Sequence, residues 1–416
     1  MAVLIAGAGI GGLALGLSLH GLGIPFRIFE AQQAVRPFGG GINLQPPAVR
    51  ELYEMGLRPE LDAAGLRTEE IAYFSAQGGL IWSEPRGMFA GYDWPQYSIP
   101  RGRLQAILRD ALIARAGSGA ISYGTAVLGW KENAEGIAAT LGDAGGNAGG
   151  EAQGRVLVAA DGIDSTARAR LYPGEGAAHR SGVRMWRGTT RGPKFLTGRS
   201  MAVAGRKGHK FVAYPIEDHG HGACLINWAA ELAMPQGHER MARDWSRPGA
   251  ADDFAPGFAG WSFDWLDVPR VIAAAEQVHE YPMADRDPLP AWTHGKLTLL
   301  GDAAHAMYPV GSNGASQAIL DARVLARELR DRGQGRAALE AYDDARREPV
   351  NALLLANRDE GPDRILETVA TRAPEGFDDI SEVMSRAELE EIAAGYRKLA
   401  GAEVAALNER GPLIPR

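Results

Sequence analysis

The short apolar run Val3-Leu4-Ile5-Ala6 stops at Gly7-Ala8-Gly9-Ile10-Gly11-Gly12, and this junction constrains the fold more than any other stretch of the chain. A brief apolar run closed by glycine reads as a buried parallel strand, and Gly7, Gly9 and Gly12 fill the GxGxxG pattern, with Gly11 between them. Each glycine has a mechanical task. Gly7 permits a tight turn, Gly9 lets backbone N–H groups come close to a pyrophosphate, and Gly12 lets the next helix lie against the strand. Ile10, Leu13, Ala14 and Leu17 then fall at helical spacing, and the N-terminus of that helix offers free N–H groups and the positive end of a dipole to phosphate. Phe26, Ile28 and Phe29 make a second strand ending in Glu30, close to the ~20-residue offset at which an acid takes the hydroxyls of an adenosine ribose. Strand, turn, helix, strand and acid form a dinucleotide cradle. NAD and FAD share the ADP half that such a unit recognises, so the cradle alone leaves the choice open.

The remaining composition bounds the function. With 416 residues, 45% hydrophobic and 23% charged, the chain is long enough for two domains with real cores. A net charge of −7, with scattered lysine and arginine, gives no footprint for nucleic acid. The single cysteine, Cys224, excludes an internal disulfide and a multi-cysteine metal centre, and fits a reducing compartment. The nine histidines show no HExxH or similar spacing, so no metal is expected. No apolar run is long enough to span a bilayer, and Met1 leads straight into the first strand without a leader, so a cytoplasmic location is expected.

Beyond the cradle, Arg36-Pro37-Phe38-Gly39-Gly40-Gly41-Ile42 reads either as a flexible turn or as backbone that must approach a flat ligand closely. Pro100 opens a helix whose apolar face is Leu104, Ile107, Leu108 and Leu112, leaving Arg101 and Gln105 together one turn apart. Gly142 to Gly154 reads as an exposed hairpin loop. Two further apolar strands end in carboxylates: Val156 to Ala160 runs into Asp161-Gly162, and Leu297 to Leu300 into Gly301-Asp302. The second continues through Pro309-Val310-Gly311-Ser312-Asn313-Gly314 to a helix, a natural oxyanion site. Between them, Ser181 to Asp287 has β-like runs rich in aromatic residues, as expected of a sheet with an aromatic-lined pocket.

GxGxxG, Asp161-Gly162 and Gly301-Asp302, in that order and each at a strand end, resemble the three signatures of the class A flavoprotein aromatic hydroxylases, the family of para-hydroxybenzoate and salicylate hydroxylases. The runs Ile81 to Gly87, Pro95 to Ile99, Met185 to Gly188 and Tyr281 to Pro290 are similar to its phenazine-modifying members. The resemblance implies an α/β fold: a Rossmann-like FAD-binding domain from 1–72, 97–179 and 288–355, a discontinuous β-sheet substrate domain from 73–96 and 180–287, and a C-terminal helical segment, 356–416, that packs on its own chain or on a second copy. The cofactor is then FAD. Glu30 would bind the adenosine ribose, Arg101 and Gln105 would flank the phosphates and ribityl chain, and Asp302 would accept a ribityl hydroxyl. Gly41 and Ile42 would lie beside the isoalloxazine ring and the Gly311, Ser312, Asn313 and Gly314 backbone along its pyrimidine edge, with Asp161 between the flavin and nicotinamide sides. Trp186, Arg187, Tyr214, Trp228 and Pro309 are the expected substrate-lining residues, with Arg187 suited to a ring carboxylate.

The implied reaction is hydroxylation of a planar aromatic compound, a phenazine, quinoline or salicylate-type acid, with or without loss of CO2. NADH or NADPH would reduce FAD, and O2 would react as a flavin C4a-hydroperoxide in a site kept dry by the protein. There is no second GxGxxG, so the nicotinamide nucleotide should bind only transiently, and the chain should act as monomer or homodimer. Two other functions fit the cradle. A flavin-dependent halogenase should carry Trp-x-Trp-x-Ile-Pro, which Trp261 and Trp265 do not supply, and a non-enzymatic FAD-fold binding protein would have no use for Asp302 and the Gly311 to Gly314 loop.

Overall fold

A computed structural model describes residues 1–34, 40–234 and 247–415 of the chain. Its first sheet is built on the apolar runs that the sequence marks as strands. Ala2–Ala6 lies between Ala148–Ala159 on one side and Phe26–Glu30 on the other, both parallel to it, with Leu297–Leu299 and Ile121–Tyr123 continuing the parallel order outward. Because the chain leaves Ala2–Ala6 for one neighbour and returns later to the other, the carboxyl end of this strand is a switch point, where open α/β sheets bind ligands. The helix Ile10–Gly21 packs there against Gly314–Asp331 and Arg101–Ala116. Val3, Leu4, Ile5, Leu13, Ile28, Val158, Leu299 and Ile319, all fully or nearly fully buried, knit sheet and helices into one core.

The second sheet has seven strands, in the order Val278–Asp285, His179–Pro193, Ala223–Ala233, His209–Gly220, Ser200–Arg206, Glu70–Phe74, Leu80–Pro85. Successive side chains on a strand point to opposite faces, so each strand contributes to two environments. Phe74, Trp186, Ala204, Phe211, Trp228 and Ala230 face one way and pack with Phe254, Phe258 and Trp261 into an aromatic core. Trp186 stacks on Phe254 at 4.9 Å and Trp228 on Phe211 at 5.8 Å. Tyr73, Arg187, Val203, Val212, Tyr214 and Asn227 face the other way.

The C-terminal segment covers that other face within the same chain. Ile365, Leu366, Val369, Met384 and Leu389 pack on Ile71, Tyr73, Ile81 and Val203. Polar ties reinforce the cover: Asp363 pairs with Lys210 at 2.6 Å, Arg397 with Glu84, and the Tyr92 hydroxyl donates to the Ala402 carbonyl.

One expectation fails outright. Residues 148–154 are no loop; Ala148–Ala159 is a continuous strand whose first half pairs antiparallel with Ile137–Gly142, and only the turn around Asp143 to Asn147 is left. Glycine and alanine on an exposed edge are held by the backbone ladder, which side-chain patterning does not register. Among the described residues, no helix is long and apolar enough to cross a membrane.

Candidate active site

The three carboxylate-bearing strand ends meet. Gly7 has φ +101°, and a side chain there would run into the Ala160 carbonyl at 2.4 Å and approach the Asp161 Cα at 3.3 Å. A Cβ on Gly12 would sit 2.1 Å from the Gly7 carbonyl oxygen, and one on Gly11 would meet Leu300 at 2.6 Å. Gly9 is different, because nothing in the chain lies within 4 Å of the place where its Cβ would be. Gly7, Gly11 and Gly12 therefore close the turn on the protein, and Gly9 keeps one surface of it open.

Glu30 and Gln105 both come to this turn. The Glu30 carboxylate accepts from the Ala8 N–H at 2.7 Å and from the Gln32 N–H at 2.8 Å, and the Gln105 amide donates to the Ala8 carbonyl at 2.8 Å. Arg101, first residue of its helix, donates its backbone N–H to the Gly40 carbonyl at 3.1 Å and leaves its side chain exposed. Asp302 starts the four-residue helix Asp302–His305 and is exposed. Asp161 accepts from the Thr166 N–H at 2.9 Å, while its buried Oδ1 has no partner and burial pushes its carboxyl up. Arg168, 2% exposed, joins the Asp161 and Asp302 segments by donating to the Ala304 carbonyl at 2.7 Å. A backbone cradle open at Gly9, an acid at the adjoining strand end, and the exposed Asp302 carboxylate and Arg101 guanidinium are a donor and acceptor set that fits an adenine dinucleotide carrying polyhydroxyl and phosphate groups.

The Gly311 to Gly314 loop carries backbone strain. Gly311 has φ +67° and Ser312, though not glycine, φ +57°, a conformation that persists only when its surroundings enforce it. They do so here. The Gly311 carbonyl accepts from Asn313 Nδ2 at 3.0 Å and Gln45 Nε2 at 3.3 Å, and Asn313 Nδ2 also donates to the Tyr396 hydroxyl at 2.8 Å. Tyr396 in turn donates to Asn357 Oδ1 at 2.7 Å, and burial pushes its phenol up, which keeps it neutral. A side chain on Gly311 would collide with that phenol.

Between this loop and the second sheet lies a cavity of about 600 Å3. Arg187, Tyr214 and Pro309 line it. Trp186 and Trp228 do not. They are 1% and 0% exposed and belong to the aromatic core on the opposite face, so their expected substrate contact is corrected. The reason is the pleat. Adjacent residues such as Trp186 and Arg187 cannot line one face of one strand, a signal the sequence contained. That Trp228 lies behind the sheet follows from pairing, Tyr214 with Asn227, which the sequence did not contain. Arg36 to Gly39 fall outside the described residues.

Gly41 ties the glycine stretch to the cavity floor. Its carbonyl accepts from Arg187 Nη2 and from the Tyr214 hydroxyl, each at 2.7 Å, and its N–H donates to Asn227 Oδ1. A Cβ on Gly41 would meet Ile216 at 2.6 Å and Tyr214 at 2.9 Å, so what the backbone approaches closely here is the second sheet. Ile42 is half-buried against the first core. Among the described residues no carboxylate pairs with Arg187, its Nε is buried without a partner, and so is Asn227 Nδ2. Burial pushes the Tyr214 and Tyr281 phenols up, against the opposing charge of Arg187. The sequence reading missed Gln45, Asn227, Lys210, Glu231, Asp363 and Tyr396, all on the cavity wall. Polar residues alternating with core residues in the Ala223–Ala233 strand were the available signal.

Comparison with known proteins agrees with this geometry. Residues 1–357 match the family described as FAD binding domain. The chain is 44% identical over 379 residues to phenazine 1,6-dicarboxylic acid hydroxylase of Lysobacter antibioticus, covering 89% of this chain and 92% of that one. It is 33% identical to aurachin C monooxygenase/isomerase of Stigmatella aurantiaca, covering 84% and 86%. Its fold superposes with a TM-score of 0.73 on a salicylate hydroxylase substrate complex at 23% identity, covering 99% and 98% of the two chains. The chain belongs to the FAD binding domain family and, within it, to the class A FAD-dependent aromatic hydroxylases.

Proposed function

We propose that this enzyme hydroxylates a planar, fused-ring aromatic acid of the phenazine or quinoline class, using NADH or NADPH and O2, in the cavity between Gly41 and the C-terminal segment. The observation that carries this reading is Arg187: a guanidinium on the wall of a cavity lined by Tyr73, Trp82 and Tyr214, with no carboxylate partner among the described residues and a buried Nε without one. Arg187 as a whole is half-buried, but a buried guanidinium N–H without an acceptor is costly, and a ring carboxylate would supply that acceptor and a counter-charge. The 44% identity to an enzyme named for a phenazine dicarboxylic acid supports the same class.

In this reading Glu30 holds the adenosine ribose, Gly7 to Gly12 the pyrophosphate, Arg101 and Gln105 the phosphate and ribityl segment, and Asp302 a ribityl hydroxyl. Asp161 stands between the cofactor and the entering nicotinamide. FAD, when bound, supplies the electron transfer and oxygen activation that side chains cannot. The chain's own residues place the ring and keep the site dry. Arg187 and Asn227 fix the carboxylate end, Tyr214 holds the Gly41 backbone in place beside it, and Pro309 with the Gly311 to Gly314 loop forms the opposite wall. The C-terminal cover excludes water, which protects a reactive oxygen from wasteful release as hydrogen peroxide.

The test is NAD(P)H oxidation by purified, flavin-loaded enzyme with phenazine, quinoline and salicylate-type acids, scored by product mass. A gain of one oxygen, or replacement of carboxyl by hydroxyl, is expected for a fused-ring acid. Hydrogen peroxide alone with every aromatic acid would overturn the substrate assignment.

A further inference from the structure

The Arg187 and Asn227 end of the cavity accounts for only part of its polar lining. On the Ala223–Ala233 strand, Asn227, Ala229 and Glu231 all face the cavity. Asn227 and Glu231 are four residues apart, a separation of about 13 Å in extended backbone, roughly the length of a three-ring fused system with its substituents. Glu231 is only 4% exposed. Its cross-strand neighbour Lys210 reaches its Oε2 at 3.1 Å and, on the far side, Asp363 Oδ2 at 2.6 Å. Burial alone would lower the Lys210 ammonium, but Asp363 and Glu231 together outweigh it and hold that group above its ordinary range.

This cluster is unbalanced in charge and in hydrogen bonding. One ammonium faces two carboxylates, and its three N–H groups confront roughly eight acceptor sites. Among the described residues Lys210 is the one partner that either carboxylate side chain has. A cluster serving only to fasten the C-terminal segment would be complete with one carboxylate. The second leaves spare acceptors, most of them on Glu231, whose carboxyl burial pushes up and which lies more than nine-tenths buried on the wall of a ligand-sized cavity. The opposite end has the reverse character, since Arg187 Nε and Asn227 Nδ2 are buried donors without acceptors.

We infer that the cavity reads a polarised ligand, with an acceptor group at Arg187 and Asn227 and a hydrogen-bond donor, a ring N–H, amino or hydroxyl group, at Glu231 and Asp363. The two carboxylates are thus specificity-determining residues for the far edge of the substrate. A carboxylate at that edge sets acceptors against acceptors, and an unsubstituted ring covers acceptors that it cannot pair, which costs more than the bond would yield. This inference rests on the aromatic-acid reading of the same cavity and adds the requirement at its remote end.

The test compares two ligands: a phenazine monocarboxylic acid, and the same acid with an amino group on the ring remote from the carboxyl. Binding to flavin-loaded enzyme is followed by perturbation of the FAD absorption spectrum. In the natural enzyme the amino derivative should bind roughly ten- to a hundredfold more tightly, the range of one charge-assisted hydrogen bond. Glu231→Gln and Asp363→Asn, each of which replaces one carboxylate oxygen by an N–H donor with almost no change of shape, should each erase most of that preference, by weakening the amino derivative and tightening the unsubstituted acid. Asp363, nearer the surface, gives the same reading if the Glu231 variant does not fold. A preference unchanged by both substitutions, or an equal loss for both ligands, would overturn the inference while the aromatic reading stands. If neither acid perturbs the flavin of the natural enzyme, the aromatic reading fails and takes this inference with it.

Discussion

Arg187 donates through Nη2 to the carbonyl of Gly41 at 2.7 Å, a contact spanning 146 positions of sequence. It joins the floor of the cavity to the strand Gly41–Leu44, so in the proposed function one side chain serves both substrate and cofactor sides. Arg187→Ala is expected to raise KM for a carboxylated aromatic substrate roughly ten- to a hundredfold and to raise the hydrogen peroxide formed per NAD(P)H consumed. Arg187→Lys should recover little, because a point charge does not reproduce the planar fork. Equal coupling in all three enzymes would assign Arg187 to packing alone.

The glycines of the first turn should separate folding from cofactor binding. Gly12→Ala forces a methyl group against the Gly7 carbonyl and should lower the melting temperature of the cofactor-free protein, an overpacking cost of about 1–3 kcal/mol. Gly9→Ala meets no protein atom within 4 Å. It should leave that melting temperature nearly unchanged and weaken FAD binding, measured by fluorescence on titration.

Asp302→Ala should weaken FAD retention by about 1.5–3 kcal/mol, the worth of a hydrogen bond to a charged acceptor, and Arg101→Ala should do the same through the phosphates. Full flavin occupancy of either variant after gel filtration would remove that residue from the cofactor site.

Core and cavity residues of the second sheet should respond differently. Trp186→Ala empties a site in the aromatic core and is expected to cost about 3–5 kcal/mol of stability, visible in thermal melting. Tyr214→Phe removes only the hydroxyl that holds Gly41, so it should change stability by no more than about 0.5–1.5 kcal/mol while altering coupling. A Trp186 variant of normal stability that fails to bind substrate would return Trp186 to the cavity.

Tyr396 holds Asn313 and, through it, the strained Gly311 and Ser312 backbone. Tyr396→Phe should keep its fold and its FAD but shift the flavin absorption spectrum and increase uncoupled peroxide. A spectrum and coupling ratio identical to those of the natural enzyme would show that the loop needs no such support.

Much of the cofactor side was legible because its determinants are local. GxGxxG, the strand ending at Glu30, and the carboxylates at Asp161 and Asp302 each lie within a few residues of the strand that presents them, and parallel packing brings such strand ends together. Helical spacing puts Arg101 and Gln105 one turn apart; the Gln105 amide reaches the Ala8 carbonyl, while the Arg101 side chain is exposed. The substrate side was not legible in the same way. Trp186 drew attention as a large aromatic residue, yet a one-residue step along a strand decides between cavity and core, and nothing in the composition of the Met185 to Gly188 run says which face is covered by what.

By itself, then, the sequence determined the dinucleotide cradle, the order of its three signatures, and the membership of strands and helices in an α/β chain, since these rest on glycine sterics, apolar periodicity and short-range spacing. Only the tertiary structure decided that residues 356–416 fold back over the second sheet, that Lys210, Glu231 and Asp363 meet at one end of the cavity, and that Tyr396 supports the loop at Gly311. Asn313 and Tyr396 are 83 positions apart, Lys210 and Asp363 153, and Glu84 and Arg397 313. Those contacts depend on sheet register and on how one layer covers another, relationships that no local pattern encodes.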